Sequence, residues 1–122
     1  MSSLISFLVV LALAIGYLYL KRSGQVSSKA AAEYLKNGAV LIDVRSASEF
    51  EAGHILQATN IPVDRIEMVA PAVVKQKNKV LLLHCSTGMR CNAAKKKLED
   101  LGYTQVFNVG SYQRAEKLLT GR

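Results

Sequence analysis

Residues Lys79 to Gly102 read KVLLLHCSTGMRCNAAKKKLEDLG and contain the clearest strand and helix signals in the chain. Val80 to Leu83 form a continuous apolar run, too short for a typical helix, which predicts a strand buried on both faces. Ser86 to Gly88 follow as loop residues, and apolar side chains then recur at helical spacing until Gly102 ends the pattern. The segment therefore predicts a strand that ends at Cys85, a short loop and a helix in direct succession.

Cys85 lies between this strand and the helix, where a thiol is readily deprotonated. A helix N-terminus and a neighbouring arginine both lower the pKa of a thiol, and the thiolate is the nucleophilic form. The backbone N–H groups of the loop have no intrahelical partner and can converge on negative charge. Arg90 adds a fixed positive charge and a planar set of donors. The pattern predicts a nucleophilic Cys85; a buried structural thiol is the alternative.

Two separated blocks of the sequence carry a family resemblance. The first block is LIDVRSASEFEAGHI, from Leu41 to Ile55, and it continues into an Asn-Ile-Pro sequence at 60–62. The second block is the loop from Cys85 to Arg90. In this order, and with the expected strand and helix around them, the blocks resemble those of a single rhodanese-like domain extending from about residue 26 to residue 119.

Similarity to rhodaneses implies sulfur transfer through a persulfide on Cys85. The thiolate would attack the outer sulfur of a donor such as thiosulfate, release sulfite, and pass the sulfur to a thiol or cyanide acceptor. Loop N–H groups and the helix dipole would stabilise the anionic persulfide. The residues expected to bind the substrate are Ser86, Thr87, Gly88, Met89 and Arg90. The resemblance implies no metal and no organic cofactor.

The loop departs from the commonest thiosulfate-using pattern at one position. Ser86 follows the cysteine, where many family members carry arginine. A loop with one basic residue attracts a dianion less strongly than a loop with two. The sulfur donor is therefore left open between thiosulfate and a persulfide.

Two other functions stay open. Related rhodanese-like domains that act as phosphatases or arsenate reductases use a Cys-x5-Arg loop, whereas four residues separate Cys85 from Arg90 here. The shorter loop resembles the sulfurtransferase form, which fits sulfur better than a tetrahedral phosphoryl group. A membrane-tethered, non-catalytic binding module is the second alternative, and the presence of Cys85 argues against it.

Asp43 and Arg45 flank the end of a predicted strand at 40–44. They are interpreted as an ion pair that supports the active loop from behind rather than reacting with substrate. Cys91, in the first helical turn, is interpreted as a packed thiol, because free cysteine is among the most buried residue types. Resolving an oxidised Cys85 or sharing its sulfur stays open as a role for Cys91.

The two histidines, His54 and His84, do not indicate a metal site. Neither comes with the clustered ligands that a zinc site needs, and two cysteines separated by five residues do not form a zinc-ribbon pattern. His54 is expected to fix its own loop by hydrogen bonds. His84 is expected to end a buried strand.

Alternating strand and helix signals predict one α/β domain over residues 23–122. Strands are predicted at 40–44, 58–61, 80–83 and 105–109. Ser48 is expected to cap a short helix that ends near Ala52. The predicted fold class is a mostly parallel, five-stranded sheet with helices on both faces, in keeping with the resemblance. Ligands bind beyond the carboxyl ends of strands in such sheets, and Cys85 lies at one of these ends.

The N-terminal segment LISFLVVLALAIGYLYL, from Leu4 to Leu20, is an uncharged apolar run of 17 residues. A helix of that length spans roughly 26 Å, close to the thickness of a hydrocarbon core of about 30 Å. We expect residues 1–22 to form a single, uncleaved transmembrane anchor. A buried core helix and a cleaved signal peptide are the alternatives, and the second lacks the basic residues that normally precede its apolar run.

The distribution of charge favours one orientation of this anchor. All 16 Lys and Arg residues follow the apolar segment, beginning with Lys21 and Arg22, so the positive-inside rule places the domain on the cytoplasmic side. The net charge of +7 belongs to the same part, and a basic domain would be held near anionic lipid headgroups. Sparse aromatic residues and the lack of a nucleic-acid motif argue against a nucleic-acid partner. The sequence indicates no oligomeric state.

Overall fold

A computed structural model of the protein describes residues 2–23 and 26–120. The elements are α1 (Ser2–Ser23), α2 (Ser28–Lys36), β1 (Val40–Asp43), α3 (Ala47–Ala52), β2 (Thr59–Asn60), a 3₁₀ turn (Val63–Arg65), α4 (Ile66–Val73), β3 (Leu81–Cys85), α5 (Met89–Asp100), β4 (Val106–Ser111) and α6 (Tyr112–Thr120). Strands and helices alternate after α1, and the α/β prediction is confirmed.

The described residues form one sheet of four strands in the order β2-β1-β3-β4, and every neighbouring pair is parallel. The prediction of five strands is therefore wrong. At one edge, the chain leaves β2 through Pro62 and enters the 3₁₀ turn. At the other edge, the N–H of Val26 donates to the carbonyl of Asn108 at 3.0 Å, and the chain then turns into α2 instead of continuing the pairing.

The sheet lies between two clusters of apolar side chains. In β3, Leu81, Leu83 and Cys85 face one cluster, and Leu82 faces the other. Side chains alternate across a strand, so a single strand supplies both clusters. Residues of α4 and α5 complete the first cluster, and residues of α2 and α6 complete the second. The predictions of a strand buried on both faces and of helices on both sides of the sheet are confirmed.

Ser46, not Ser48, caps α3. The side chain of Ser46 accepts from the N–H of Glu49 at 3.3 Å, and the carboxylate of Glu49 accepts from the N–H of Ser46 at 3.2 Å. This reciprocal arrangement satisfies two backbone donors that the first turn leaves unpaired. Both serines have a glutamate three residues later, Glu49 for Ser46 and Glu51 for Ser48, and the capping box forms at the first of them.

The apolar segment near the N-terminus lies in the helix α1, but the prediction of a transmembrane anchor is not supported. Among residues 2–23 and 26–120, no helix combines the length and the apolar character needed to cross a membrane. The cytoplasmic orientation, which depended on that anchor, stays a prediction, as does the domain boundary after residue 22.

Candidate active site

Cys85 is the last residue of β3, and its side chain is buried. The loop residues Ser86 and Thr87 are exposed, whereas Gly88 is buried and precedes the first turn of α5. Gly88 has a φ of 93°, in the left-handed region that only glycine adopts without strain. This turn brings the start of α5 back over the end of β3, so the helix N-terminus lies against the sulfur.

Hydrogen-bond donors surround the sulfur of Cys85. The N–H of Gly88 donates to Sγ at 2.9 Å. The thiol of Cys91 donates to the same sulfur, with the two Sγ atoms 3.2 Å apart. These donors can stabilise the negative charge of a Cys85 thiolate. They can also stabilise the negative charge of a persulfide, in which a second sulfur atom is bound to Cys85.

These donors lower the pKa of Cys85 to about 5. The thiol of Cys91 is the largest cause, burial of Cys85 opposes it, and the backbone N–H groups of Cys91, Gly88 and Thr87 lower the pKa further. The same interaction and its own burial raise the pKa of Cys91 far above the ordinary range. Cys85 is therefore a thiolate at neutral pH, and Cys91 keeps its proton. Cys91 is packed, as predicted, but it also contacts the predicted nucleophile directly.

Arg90 is held at the edge of the site by an ion pair. Its Nη1 and Nη2 atoms donate to the two carboxylate oxygens of Glu49 at 2.6 and 2.9 Å, and Nη2 donates to Oγ of Ser86 at 2.5 Å. The guanidinium lowers the pKa of Glu49 to about 2, and Ser46 adds to this effect. Glu49 in turn raises the pKa of Arg90, with a smaller contribution from the charge of Cys85. The charge of Arg90 is thus shared between Glu49 and the loop.

Asn108, on β4, braces the loop from the neighbouring strand. Its side-chain amide donates to the carbonyl of Gly88 at 3.2 Å and to Asn92 Oδ1 at 2.9 Å, while its Oδ1 accepts from the N–H of Gly110 at 2.7 Å. The pairing of β3 with β4 shifts at this point, because Leu83 pairs with Asn108 and the next residue pairs with Gly110. A register shift of this kind changes the direction of the side chains beside it, and such shifts are common near functional sites.

Sequence reasoning missed both Glu49 and Asn108. A signal existed for each of them. Glu49 completes the Ser-x-x-Glu spacing of a capping box, and Asn108 is a polar residue inside an otherwise apolar strand segment. Their partners in the loop were not predictable from local sequence.

Asp43 and Arg45 form the ion pair interpreted from their positions at the end of β1. Arg45 donates through Nε and Nη2 to the buried carboxylate of Asp43 at 2.8 to 3.1 Å, and Nη2 also donates to the carbonyl of Gly53 at 2.7 Å. The side-chain amide of Asn60 donates to the carbonyls of Asp43 and Arg45. The guanidinium lies over the ring of Tyr112, 4.6 Å from its centroid. These contacts fasten the end of β1 to its surroundings.

The histidines occupy the places predicted for them. His54 is hydrogen-bonded through Nδ1 to the carbonyl of Phe50 at 2.8 Å and is stacked on the Phe50 ring, which fixes its loop. His84 is buried in β3, and within the described part of the chain neither of its ring nitrogens has a hydrogen-bond partner. Burial lowers the pKa of His84, with Asp43 opposing, so the ring is neutral at pH 7. The described residues include no cluster of three or more potential metal ligands.

The chain is similar to known sulfurtransferases. It is 33% identical over 69 residues to the thiosulfate sulfurtransferase PspE of Escherichia coli, an alignment that covers 57% of this chain and 66% of that protein. It is 37% identical over 71 residues to the uncharacterized protein YqhL of Bacillus subtilis, covering 58% and 55%. The chain thus spans less than two thirds of the length of these curated relatives.

Solved structures extend the comparison over a larger share of their own chains. A human single-domain sulfurtransferase superposes with a TM-score of 0.64 and 31% identity, over 76% of this chain and 95% of that one. A rhodanese with anions from E. coli gives a TM-score of 0.60 and 30% identity, over 63% and 91%. The family model of the rhodanese-like domain matches residues 27–116, which is well over half of the sequence. This chain therefore belongs to the rhodanese-like domain family.

Proposed function

We propose that this protein is a sulfurtransferase that carries a sulfane sulfur as a persulfide on Cys85. The observation that carries the proposal is the environment of the Cys85 sulfur, which accepts hydrogen bonds from Gly88 N–H and from the Cys91 thiol at 2.9 and 3.2 Å. A thiolate held in this way is a nucleophile at neutral pH. The similarity to a protein named thiosulfate sulfurtransferase supports the same activity.

The reaction has two displacement steps. In the first, the Cys85 thiolate attacks the outer sulfur of a donor; with thiosulfate, the sulfur–sulfur bond of the donor breaks and sulfite leaves with its electron pair. The N–H groups that hold the thiolate then stabilise the anionic persulfide. In the second step, cyanide or an acceptor thiolate attacks the outer sulfur, and the electron pair returns to Cys85.

The surroundings of the loop bear on the identity of donor and acceptor. Glu49 shares the charge of Arg90, which reduces the attraction of the loop for a dianion such as thiosulfate. We therefore propose a persulfide as the favoured donor and thiosulfate as a weaker one. A surface depression of about 270 Å³ reaches the loop at Arg90 and is also lined by Asp64 and Lys97, and we propose it as a place where a small acceptor could bind.

The experiment is intact-mass analysis of the full chain after brief exposure to thiosulfate, or to a glutathione persulfide, with Cys85→Ser as the matched variant. We expect the parent to gain the mass of one sulfur atom, to lose it when cyanide is added, and to form thiocyanate in proportion. Cys85→Ser should gain nothing. If neither donor adds sulfur to Cys85, the proposal fails, and hydrolysis of a phenyl phosphate ester by the same samples would then indicate the phosphatase alternative.

A further inference from the structure

Cys91 is a buried nucleophile in contact with Cys85 that the two displacement steps leave unused. We infer that Cys91 is a resolving thiol, which displaces the sulfane sulfur from a Cys85 persulfide as hydrosulfide and closes a Cys85–Cys91 disulfide. This inference rests on the proposed function, because it requires the persulfide to form first. It adds a second outlet for the sulfur, which operates when no external acceptor is present.

The geometry places the two sulfur atoms close to bonding distance. The Sγ atoms are 3.2 Å apart, and a disulfide of about 2.05 Å requires them to approach by roughly 1.2 Å. Cys85 ends β3 and Cys91 lies in the first turn of α5, joined by a loop that turns at Gly88. The Cys91 thiol is directed at the Cys85 sulfur, and it also contacts the carbonyl of Gly110 at 3.8 Å.

Formation of the persulfide changes what Cys91 can do. In the resting enzyme, the proton of Cys91 is held by the negative charge on the Cys85 sulfur. Once Cys85 carries an outer sulfur, the negative charge moves to that outer atom, and the inner Sγ becomes an electrophile flanked by Cys91. Attack on an inner sulfur is ordinary thiol–disulfide exchange, in which the attacking group is a thiolate.

The step balances without an external oxidant. The sulfur of Cys91 forms a bond to Sγ of Cys85, and the bond between Sγ and the outer sulfur breaks. The outer sulfur takes that electron pair together with the proton of Cys91 and leaves as HS⁻. The sulfane sulfur is reduced by two electrons, and the two cysteine sulfurs are each oxidised by one. A thiol reductant then returns the disulfide to two thiols.

Burial of the two cysteines decides when sulfide release through Cys91 competes with transfer of the sulfur to an external acceptor. The residues Cys85 and Cys91 are both fully buried, so an external thiol must enter the loop before it can reach the outer sulfur. Cys91 is already in contact, and intramolecular groups in contact react as though present at very high concentration. At high concentration, an external acceptor takes the sulfur before Cys91 reacts. At low acceptor concentration, the protein releases sulfide and stays in the disulfide form until a thiol reduces it.

The test compares the full-length parent with Cys91→Ser, which keeps a hydroxyl donor near Cys85 but cannot form a disulfide. Cys91→Ala provides a second variant should the serine protein fold poorly. Each protein is loaded with the donor that supplies sulfur, freed of excess donor by rapid desalting, and incubated without acceptor. Released sulfide is measured, and intact mass after thiol alkylation distinguishes persulfide, disulfide and free thiols.

For the parent, we expect one sulfide per loaded protein and a disulfide that resists alkylation until a reductant is added. For Cys91→Ser, we expect slower loading with sulfur, because Cys91 no longer lowers the pKa of Cys85. Per loaded protein, we expect sulfide release to be slower by a factor on the order of ten or more, because the contacting thiol is gone, while cyanide removes the loaded sulfur as thiocyanate. A parent that keeps its persulfide as long as Cys91→Ser would overturn the inference. So would peptide mapping that finds the sulfur transferred intact to Cys91.

A failure of the proposed function gives a different result. In that case Cys91→Ser and Cys91→Ala, like the parent, take up no sulfur from either donor, and the inference falls together with the persulfide mechanism. If the variants load with sulfur and release sulfide at the parental rate, the proposed function stands and only the role of Cys91 is overturned.

Discussion

At the scale of single residues, the reactivity of Cys85 is set by groups within hydrogen-bond distance of its sulfur. The sequence predicted that the helix N-terminus and Arg90 would supply the charge stabilisation. The helix contributes through its N–H groups, but the largest lowering of the Cys85 pKa comes from the thiol of Cys91, and Arg90 is engaged by Glu49. The thiol proton of Cys91 thus provides part of the stabilisation of the Cys85 thiolate that was predicted to come from Arg90.

The lowered pKa of Cys85 predicts a pH profile for alkylation. The thiolate is the reactive form, so the rate of modification by iodoacetamide should rise with pH around a midpoint of about 5 and be constant at neutral pH. Cys91→Ala removes the largest cause of the lowering and should move the midpoint upward. The site of modification is assigned by mass spectrometry. A parental midpoint near the ordinary cysteine value of about 8.5 would contradict the structure.

The same shift predicts how this residue affects stability. A thiol whose pKa is depressed by folding stabilises the folded state fully at pH above its unfolded pKa, about 8.5, and this stabilisation is lost as the pH falls to the folded pKa of about 5. Between those values, the free energy of unfolding of the parent should therefore rise with pH more steeply than that of Cys85→Ser. Urea unfolding at a series of pH values gives the comparison, and parallel curves would contradict it.

Glu49 is predicted to weaken the binding of anionic donors by sharing the charge of Arg90. Replacing it in Glu49→Gln removes the negative charge and leaves a side chain that can still accept from the guanidinium. We expect the KM for thiosulfate to fall by about two- to fivefold, within the energies measured for exposed ion pairs. Glu51→Gln removes the same charge from an exposed position of the same helix and serves as the control. Equal effects of the two variants would show that only net charge matters.

At the scale of secondary-structure elements, the start of α3 connects helix capping to the site, because the capping residue Glu49 is also the partner of Arg90. Ser46→Ala removes the side-chain acceptor for the Glu49 N–H. We expect the free energy of unfolding to fall by about 1 kcal/mol, the usual loss for an N-cap serine. Ser48→Ala, at the exposed position first predicted as the cap, should change it far less. Urea unfolding of both variants distinguishes the two caps directly.

The contact between β4 and the loop predicts a second element-scale effect. Asn108→Ala leaves the buried carbonyl of Gly88 and the N–H of Gly110 without their side-chain partner. We expect a loss of about 1–3 kcal/mol in the free energy of unfolding and a higher pKa for Cys85, because the N–H of Gly88 is no longer held on the sulfur. The exposed Asn78, which lies outside this network, supplies the control Asn78→Ala. If Asn108→Ala lowered the stability but left the pH dependence of Cys85 alkylation unchanged, Asn108 would stabilise the fold without affecting the pKa of Cys85.

At the scale of the whole molecule, the parts that were predictable from sequence are those fixed by neighbouring residues. The strand that ends at Cys85, the loop and the helix after it follow one another in sequence and were predicted together. The contacts that complete the site join residues far apart in the chain: the Arg90–Glu49 pair spans 41 positions and the Asn108–Gly88 hydrogen bond spans 20. Local periodicity carries no information about such pairs, because only the folded sheet brings them together.

The helix α1 gives the last prediction, which concerns the independence of the domain. Of the α1 residues whose side chains the structure describes, 2–17, none belongs to either core cluster, and the apolar ones are exposed, 63% at Leu4 and 69% at Leu13. A chain that begins at Val26 should therefore unfold within about 3 °C of the full chain, since a larger shift would require a contribution approaching 1 kcal/mol. It should also retain thiocyanate formation. Circular dichroism and the cyanide assay provide the two measurements.

A substitution in the core serves as the positive control, because it shows that the melting temperature of the shortened chain responds to a loss of stability. In the chain that begins at Val26, Leu83→Ala should lower the free energy of unfolding by about 2–5 kcal/mol, because Leu83 on β3 is fully buried in the first cluster. That loss corresponds to a melting temperature lower by about 10 °C or more. If removal of α1 alone lowered the melting temperature that far, α1 would have to pack against the domain in solution, and the two-sided core of the four-stranded sheet would be incomplete without it.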